Sequence, residues 1–241
     1  MRVLLLHPPD TDEVTPGRPD DYGKEARSYL PPLGLLYVAS FVGQRHEVRI
    51  VDMCAEHLTV AGVEGVIGSC KPDLVGIGCV ITQWPSVLKL AMRVKQCAPG
   101  TPVVVGGPNP TLYTAETLAC EAIDYVICGH GQTPLMELCD CLEQGKPTDG
   151  IKGCYARGQV SRETQFERVI GDLEAFPFPD RSLLPIRQYN VPFCPENPCT
   201  SMMSSQGCCY KCAYCQCRNN KPVQVRSPES VSAEMEEVAD M

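Results

Sequence analysis

Five short apolar runs separated by amphipathic stretches fill the first 145 residues, and this alternation restricts the fold more than any other feature of the sequence. Residues 3–6, 47–52, 73–78, 102–105 and 124–128 read as strands. Most are nearly continuous in Val, Leu and Ile, the composition of strands buried on both faces. Residues 32–42, 86–97, 114–122 and 133–144 carry apolar positions at helical spacing, as in Val87, Leu90, Ala91 and Val94. Strands alternating with helices predict an α/β fold, a five-stranded parallel sheet of flavodoxin or Rossmann type with helices on both faces. Such sheets bind ligands beyond the carboxyl ends of their strands. A polar stretch of about twenty residues, 10–29, separates the first strand from its helix, a length expected of a lid or binding loop.

The character changes after Gly145. Residues 151–160 predict a hairpin turning at Arg157-Gly158. Residues 172–198 hold Pro177, Pro179, Pro185, Pro192, Pro195 and Pro198. That density excludes helix and central strand and predicts an extended linker. The remainder has a short strand-like run at 200–204, a cysteine-rich stretch and a closing helix. Ser227 is a natural N-cap for that helix, Pro228 suits its first position and Glu229 complements its dipole. The expected division is thus a sheet domain over 1–145, a hairpin and linker over 146–198, and a final unit over 199–241.

Charge and hydropathy exclude several function classes. The formal net charge of −8 resides in residues 10–27, which contribute −3, and 227–241, which contribute −5. Residues 200–226 carry Lys211, Arg218, Lys221 and Arg226 without an acid. Four charges fall short of the broad basic face of a nucleic-acid binder, so no nucleic-acid partner is expected. The longest apolar run, 33–42, has ten residues, so no membrane span is expected. The amino-terminal run stops at His7-Pro8-Pro9, too short for a signal-peptide core, and a cytoplasmic location is expected.

Without a leader, sixteen cysteines do not read as a secreted disulfide scaffold. Nine lie scattered through the first 154 residues in largely apolar surroundings, where Cys acts as a small buried hydrophobe. Seven lie between Cys194 and Cys217. Among these, Cys208, Cys212 and Cys215 have the spacing C-x-x-x-C-x-x-C. Thiolates so spaced on one loop can converge on three corners of a metal cluster. A zinc site is the alternative, using Cys212 and Cys215 with two of Cys194, Cys199, Cys208, Cys209 and Cys217. Zinc ribbons usually repeat the C-x-x-C knuckle on a separate loop, and no separate second copy is present, since Cys209 to Cys212 overlaps the first.

The wider context, Gly207-Cys208-Cys209-Tyr210-Lys211-Cys212-Ala213-Tyr214-Cys215, closely resembles the signature of radical S-adenosylmethionine (SAM) proteins. The resemblance implies a [4Fe–4S] cluster on Cys208, Cys212 and Cys215, with SAM on the remaining iron and Tyr214 near its adenine. Positive charge near such a cluster would help it accept an electron; solvated surface is the plainer account of that charge. The amino-terminal half resembles the cobalamin-binding domain that precedes many radical SAM barrels. Leu30-Pro31-Pro32-Leu33-Gly34-Leu35-Leu36-Tyr37-Val38-Ala39, Lys71-Pro72-Asp73-Leu74-Val75-Gly76-Ile77 and Val103-Val104-Val105-Gly106-Gly107-Pro108-Asn109-Pro110-Thr111 carry that likeness. Phe176-Pro177-Phe178-Pro179-Asp180-Arg181 continues it. Cobalamin is broad and carries a nucleotide tail, so backbone must approach it closely. Gly76, Gly78, Gly106, Gly107, Gly129 and Gly131 lie at strand ends where a missing side chain gives room, and Thr82 is a candidate hydrogen-bond partner for the tail.

Two departures stand out. Cobalt-ligating domains use D-x-H-x-x-G after the first strand, whereas this chain has His7-Pro8-Pro9-Asp10-Thr11-Asp12, so cobalamin is expected without a histidine on cobalt. Gly129-His130-Gly131-Gln132 stands where relatives usually have Gly-Glu-Gly-Glu. The likeness also stops early in the barrel, which implies a truncated chain or fragment that does not turn over SAM alone. The expected function is that of a cobalamin-dependent radical SAM enzyme, performing methyl transfer or oxidative or ring-forming chemistry on a small molecule. Its electron donor would be a protein such as flavodoxin or ferredoxin. The alternatives are a methylthiotransferase-like protein, which would need amino-terminal cluster cysteines, and a non-catalytic cobalamin- or metal-binding module.

Overall fold

The computed structural model describes residues 1–8, 30–160, 166–167, 169–189, 199–210, 212–215 and 223–241. The expected lid, 10–29, falls outside the described residues. Five parallel strands form as expected: β1 (Arg2–His7), β2 (Glu47–Asp52), β3 (Leu74–Gly78), β4 (Val103–Gly106) and β5 (Tyr125–Ile127). The sheet order is β2-β1-β3-β4-β5, the flavodoxin-like order, whose switch point lies between β1 and β3.

The strands pack by simple alternation. Leu4 and Leu6 of β1 join Val75, Ile77, Val103 and Val105 on one face. There they meet α2 (Val63–Cys70) and α3 (Trp84–Cys97) through Val63, Ile67, Val87 and Leu90. Val3 and Leu5 join Leu74 and Val104 on the other face, under α1 (Leu33–Val42) and α6 (Gln132–Glu143). Each fully buried Leu or Val contributes about 1.5–3 kcal/mol relative to exposure, so β1 alone anchors both layers.

Three elements depart from the expectations. Helix α2 is not legible in the sequence because Gly65, Gly68 and Ser69 interrupt its pattern, and only Val63 and Ile67 are buried. The helix expected over 114–122 is shorter, α5 (Thr114–Leu118), and an unexpected short helix, α4 (Pro108–Leu112), precedes it. The expected hairpin at 151–160 does not pair with itself. Its first half, β6 (Cys154–Ala156), adds an antiparallel sixth strand to β5, with Val126 opposite Tyr155. This covers an edge that a three-residue β5 would otherwise leave open.

The proline-rich linker is extended but punctuated by 3₁₀ turns at Leu173–Ala175, Arg181–Leu183 and Ile186–Gln188. The first two are capped by Asp172 and Asp180, whose carboxylates accept from the N–H groups of Glu174 and Ser182 at 3.0 Å. The linker lies on α1: Phe176 meets Phe41 edge-on at 5.6 Å, and the Asp180 N–H donates to Ser40 Oγ at 2.7 Å. The run at 200–204 stays outside regular structure; pairing begins one residue later, between β7 (Ser205–Gln206) and β8 (Gln224–Val225). Helix α7 (Pro228–Ala239) starts as expected, with Ser227 Oγ accepting from the Ser230 N–H at 3.1 Å. Among the described residues, no helix is long and apolar enough to cross a membrane.

Candidate functional site

A cavity of about 520 Å³ opens at the carboxyl ends of β1, β3, β4 and β5 and runs down between the sheet and helices α1 and α6. Leu5, Val104, Ile127 and Leu135 line its depth. Among the described residues, no Asp, Glu, Lys or Arg lines it. All six glycines singled out in the sequence lie on its wall, for different reasons. A Cβ on Gly106 would meet nothing nearer than Ile127 Cβ at 3.9 Å, so the missing side chain leaves open cavity. A Cβ on Gly78 would lie 3.4 Å from Leu35, and one on Gly131 would come within 3.2 Å of Val38. Gly76 instead serves packing, since a Cβ there would strike Leu5 Cδ2 at 2.6 Å. Gly107 and Gly129 are required by the backbone. Their φ angles are +112° and +88°, and added carbons would run into the carbonyl oxygens of Cys79 and Val169.

Thr82 is exposed and is not on the cavity wall; its neighbour Gln83 is buried and is. The 3₁₀ turn Ile81–Gln83 before α3 decides this, because it aims one of two adjacent polar side chains inward. Gln83 belongs to a chain of hydrogen bonds that runs through His7. The Asp52 carboxylate is 1% exposed and accepts from the Tyr189 hydroxyl at 2.7 Å and the backbone N–H of Cys54 at 3.0 Å. His7 Nδ1 lies 3.0 Å from the same carboxylate. Burial alone would raise the Asp52 pKa, but hydrogen bonds from His7, Tyr189 and the Ala55 N–H hold it below the usual carboxylate range. Beside an ionised Asp52 the imidazole keeps its proton on Nδ1, so Nε2 accepts from the Gln83 amide at 3.2 Å. The ligating atoms of His7, Asp52 and Cys54 lie within 4.8 Å of one another, but both Asp52 oxygens already receive donors, which describes a hydrogen-bond cluster.

Cys208, Cys212 and Cys215 lie on the loop between β7 and β8, none in a disulfide. Cys208 is exposed and the other two are half-buried, with a turn closed by the Cys215 N–H on the Cys212 carbonyl at 3.1 Å. Their sulfurs do not draw within the 4.8 Å that a single ion would require. A cluster seats its thiolates on separate irons, and wider spacing suits it. Tyr214 is 89% exposed. Cys194, Cys217, Lys211, Arg218 and Lys221 lie outside the described residues.

The segment leading into this loop also walls the cavity. Met203 and Gln206 face it, and Gln206 is two residues before Cys208. A buried ion network fixes that segment. Glu234 of α7, 0% exposed, accepts from Arg181 Nη2 at 2.7 Å and from Arg226 Nη1. Arg226 also donates to the Met203 carbonyl at 3.0 Å and stacks over Phe178 at 5.0 Å. Arg181 reaches the Ser201 carbonyl at 2.9 Å. Arg226 is therefore an interior residue rather than part of a solvated basic patch, and charge counting alone gives no sign of it. His7, Gln83, His130 and Gln132 also escape the sequence reading as wall residues, because which polar side chain turns inward is a tertiary property.

The chain matches the family model of the B12 binding domain over residues 19–139, 121 of its 241 residues. It is 31% identical over 217 residues to an uncharacterised methyltransferase of Pyrococcus horikoshii, covering 89% of this chain and 45% of that protein. It is 27% identical to the anaerobic magnesium-protoporphyrin IX monomethyl ester cyclase of Synechocystis, covering 89% of this chain and 42% of that protein. The chain thus spans less than half the length of these curated relatives. Among solved structures, the radical SAM methyltransferase TsrM from Kitasatospora setae, with cobalamin and a [4Fe–4S] cluster bound, matches with a TM-score of 0.69 at 18% identity. That match covers 99% of this chain and 46% of the other. The cobalamin-dependent SAM radical enzyme OxsB matches with a TM-score of 0.74 at 15% identity, over 98% of this chain and 31% of the other. These two share its fold. With half of its length matched by the family model, the chain belongs to the B12-binding domain family.

Proposed function

We propose that this chain carries the cobalamin-binding part and the cluster loop of a radical SAM enzyme acting on a small molecule in the cytoplasm, by methyl transfer or by oxidative or ring-forming chemistry. The observation that carries this reading is the shared wall: the cavity at the strand ends is bounded by Met203 and Gln206, which lead directly into Cys208. A ligand filling the cavity would therefore lie beside a cluster on the loop. The fit is chemical as well as spatial. A charge-free slot between the sheet and α1 and α6 suits an apolar base, and the open space at Gly106 suits a broad ring.

In this reading Cys208, Cys212 and Cys215 hold the cluster, Tyr214 lies near SAM, and the glycine wall receives cobalamin. Thr82 would reach the ligand only by moving, and Gln83 takes its place. His7 stays off cobalt because both of its ring nitrogens are engaged. When bound, these cofactors supply reductive cleavage of SAM and a cobalt-borne methyl group, with electrons from a flavodoxin or ferredoxin. The division of the chain near residues 145 and 199 belongs to the same proposal.

Titration with hydroxocobalamin under anaerobic conditions, followed by visible spectroscopy, tests the cavity. Gly106→Leu should abolish binding while the thermal transition stays in place; binding unchanged in that variant refutes the assignment. Anaerobic reconstitution tests the loop. The triple Cys208→Ala, Cys212→Ala, Cys215→Ala protein should retain no iron or sulfide. Full retention there, with loss in Cys209→Ala/Cys217→Ala, would identify other ligands.

A further inference from the structure

His7 stands where the cavity wall meets the end of the sheet. It is the last residue of β1, its side chain is 26% exposed, and it lines the cavity together with Val80 and Gln83. Gln83 ends the 3₁₀ turn that leads into α3, and it ties that turn to Val80 twice. Its N–H donates to the Val80 carbonyl at 3.0 Å, and its side-chain Oε1 accepts from the Val80 N–H at 3.4 Å. The same amide donates through Nε2 to His7 Nε2 at 3.2 Å and to the Pro8 carbonyl at 3.4 Å.

An amide has two distinct ends, so this arrangement suits only one protonation state of the ring. With Nε2 unprotonated, Gln83 turns its NH₂ group to His7 and its oxygen to Val80, and every group is paired. A proton on Nε2 would face that NH₂ group, donor against donor. Turning the amide over puts Oε1 on the imidazolium, but it aims the NH₂ at the Val80 N–H and takes the donor from the Pro8 carbonyl. The conflict moves from the ring to the turn, which loses the bond that caps it. Asp52 and Cys54 face the ring on its Nδ1 side, with Glu56 and Tyr189 beyond Asp52. The Asp52 pKa is held down by its hydrogen bonds, and burial beside that carboxylate pushes the Tyr189 hydroxyl up, so both keep one form over the neutral range. Burial pushes the Glu56 carboxyl up, so its titration has to be separated from that of His7.

We infer that His7 is a positioning residue for the cavity wall: its unprotonated Nε2 fixes the Gln83 amide that caps the turn at Val80, and a second proton on the ring releases that turn. The latch is a property of the ligand-free chain. Its effect on what fills the cavity rests on the cobalamin reading, in which a neutral ring favours a bound corrinoid and acid favours release. By thermodynamic reciprocity, a bound corrinoid moves the His7 titration to lower pH.

Nitrogen-15 spectra of the ligand-free chain, recorded as pH falls, test the latch. The His7 ring, the Gln83 side-chain amide and the Val80 N–H should shift together with one midpoint. Glu56→Gln and Cys54→Ser should leave that joint transition in place, and His7→Phe should remove it from Gln83 and Val80. In Gln83→Glu a carboxylate accepts from the imidazolium and from the Val80 N–H at once, so the ring should still titrate while Val80 stays still. Thermal transitions check that the variants fold. Three results overturn the inference: a His7 ring that titrates in the wild type with Val80 unmoved, a ring that does not titrate before acid unfolding, or a Val80 shift as large in Gln83→Glu as in the wild type. Cyanocobalamin, whose own cobalt ligands do not titrate in this range, tests the effect on the cavity. Its affinity should fall about fivefold from above the midpoint to below it, the worth of one modest hydrogen bond, and should stay flat in His7→Phe. A flat wild-type affinity overturns the effect on the ligand. No binding at any pH, with the joint transition present, upholds the latch and rejects the cobalamin reading.

Discussion

Replacing Glu234 with glutamine isolates the charge at the centre of the buried network while keeping its shape. Arg181, Arg226 and Glu234 are 2%, 4% and 0% exposed, so the wild-type cluster buries two cations and one anion. The surplus positive charge is shared among the carbonyls of Pro179, Ser201, Met203 and Ser230 and the Phe178 ring. A neutral amide in place of the carboxylate would leave two uncompensated guanidinium groups in a dry site. Breaking a buried pair in this way costs about 3–5 kcal/mol. At about 1.4 kcal/mol per decade, the amides of α7 should exchange roughly a hundred to several thousand times faster, or the helix should detach outright. Hydrogen exchange read by mass spectrometry over residues 228–239 measures this. Adding Arg226→Met to Glu234→Gln should recover part of the loss by removing the second cation. The recovery is incomplete because the Met203 and Ser230 carbonyls lose their donors, at about 1 kcal/mol each. Exchange within about tenfold of wild type in Glu234→Gln would refute the reasoning.

Three further outcomes are expected. Gly129→Ala should lower stability by about 1–3 kcal/mol, because a positive φ and the Val169 carbonyl both oppose a side chain, and an unchanged thermal transition contradicts this. Asp52 has its folded pKa depressed, so its contribution is complete above the ordinary carboxylate range and is lost as pH falls through the folded pKa. Asp52→Asn should therefore destabilise the protein at neutral pH and flatten the acid limb of its stability profile; a parallel profile for the two proteins would count against this. Electron paramagnetic resonance of the cob(II)alamin complex should lack nitrogen superhyperfine splitting, and splitting that vanishes in His7→Ala would put that histidine on cobalt.

The sheet is legible in the sequence because parallel strands buried on both faces must be apolar without interruption, and Val3–Leu6 and Val103–Val105 can hardly be read otherwise. What depends on distant pairing is not. Strand β6 resembles half of a local hairpin, since nothing in three residues announces a partner almost thirty positions earlier. Helix α2 buries two side chains against α3, too few to set a period. Arg226 and Glu234 read as members of separate surface charge groups, because counting charge along a chain cannot see that eight residues of turn and helix bring them together inside. The cavity's position follows from topology, and its glycines from their places at strand ends. Its polar wall does not, because a 3₁₀ turn chooses Gln83 over Thr82 and a linker hydrogen bond sets the ring of His130.

The cavity draws its floor from Leu5 and its outer wall from Gln206, some two hundred positions apart. The sheet and its helices by themselves form only an open trough at the strand ends. Residues 203 and 206 add a further side to that trough, and the ion network of Glu234 fixes the segment that carries them. A chain cut before residue 203 would therefore keep the floor of the cavity and lose this side of it.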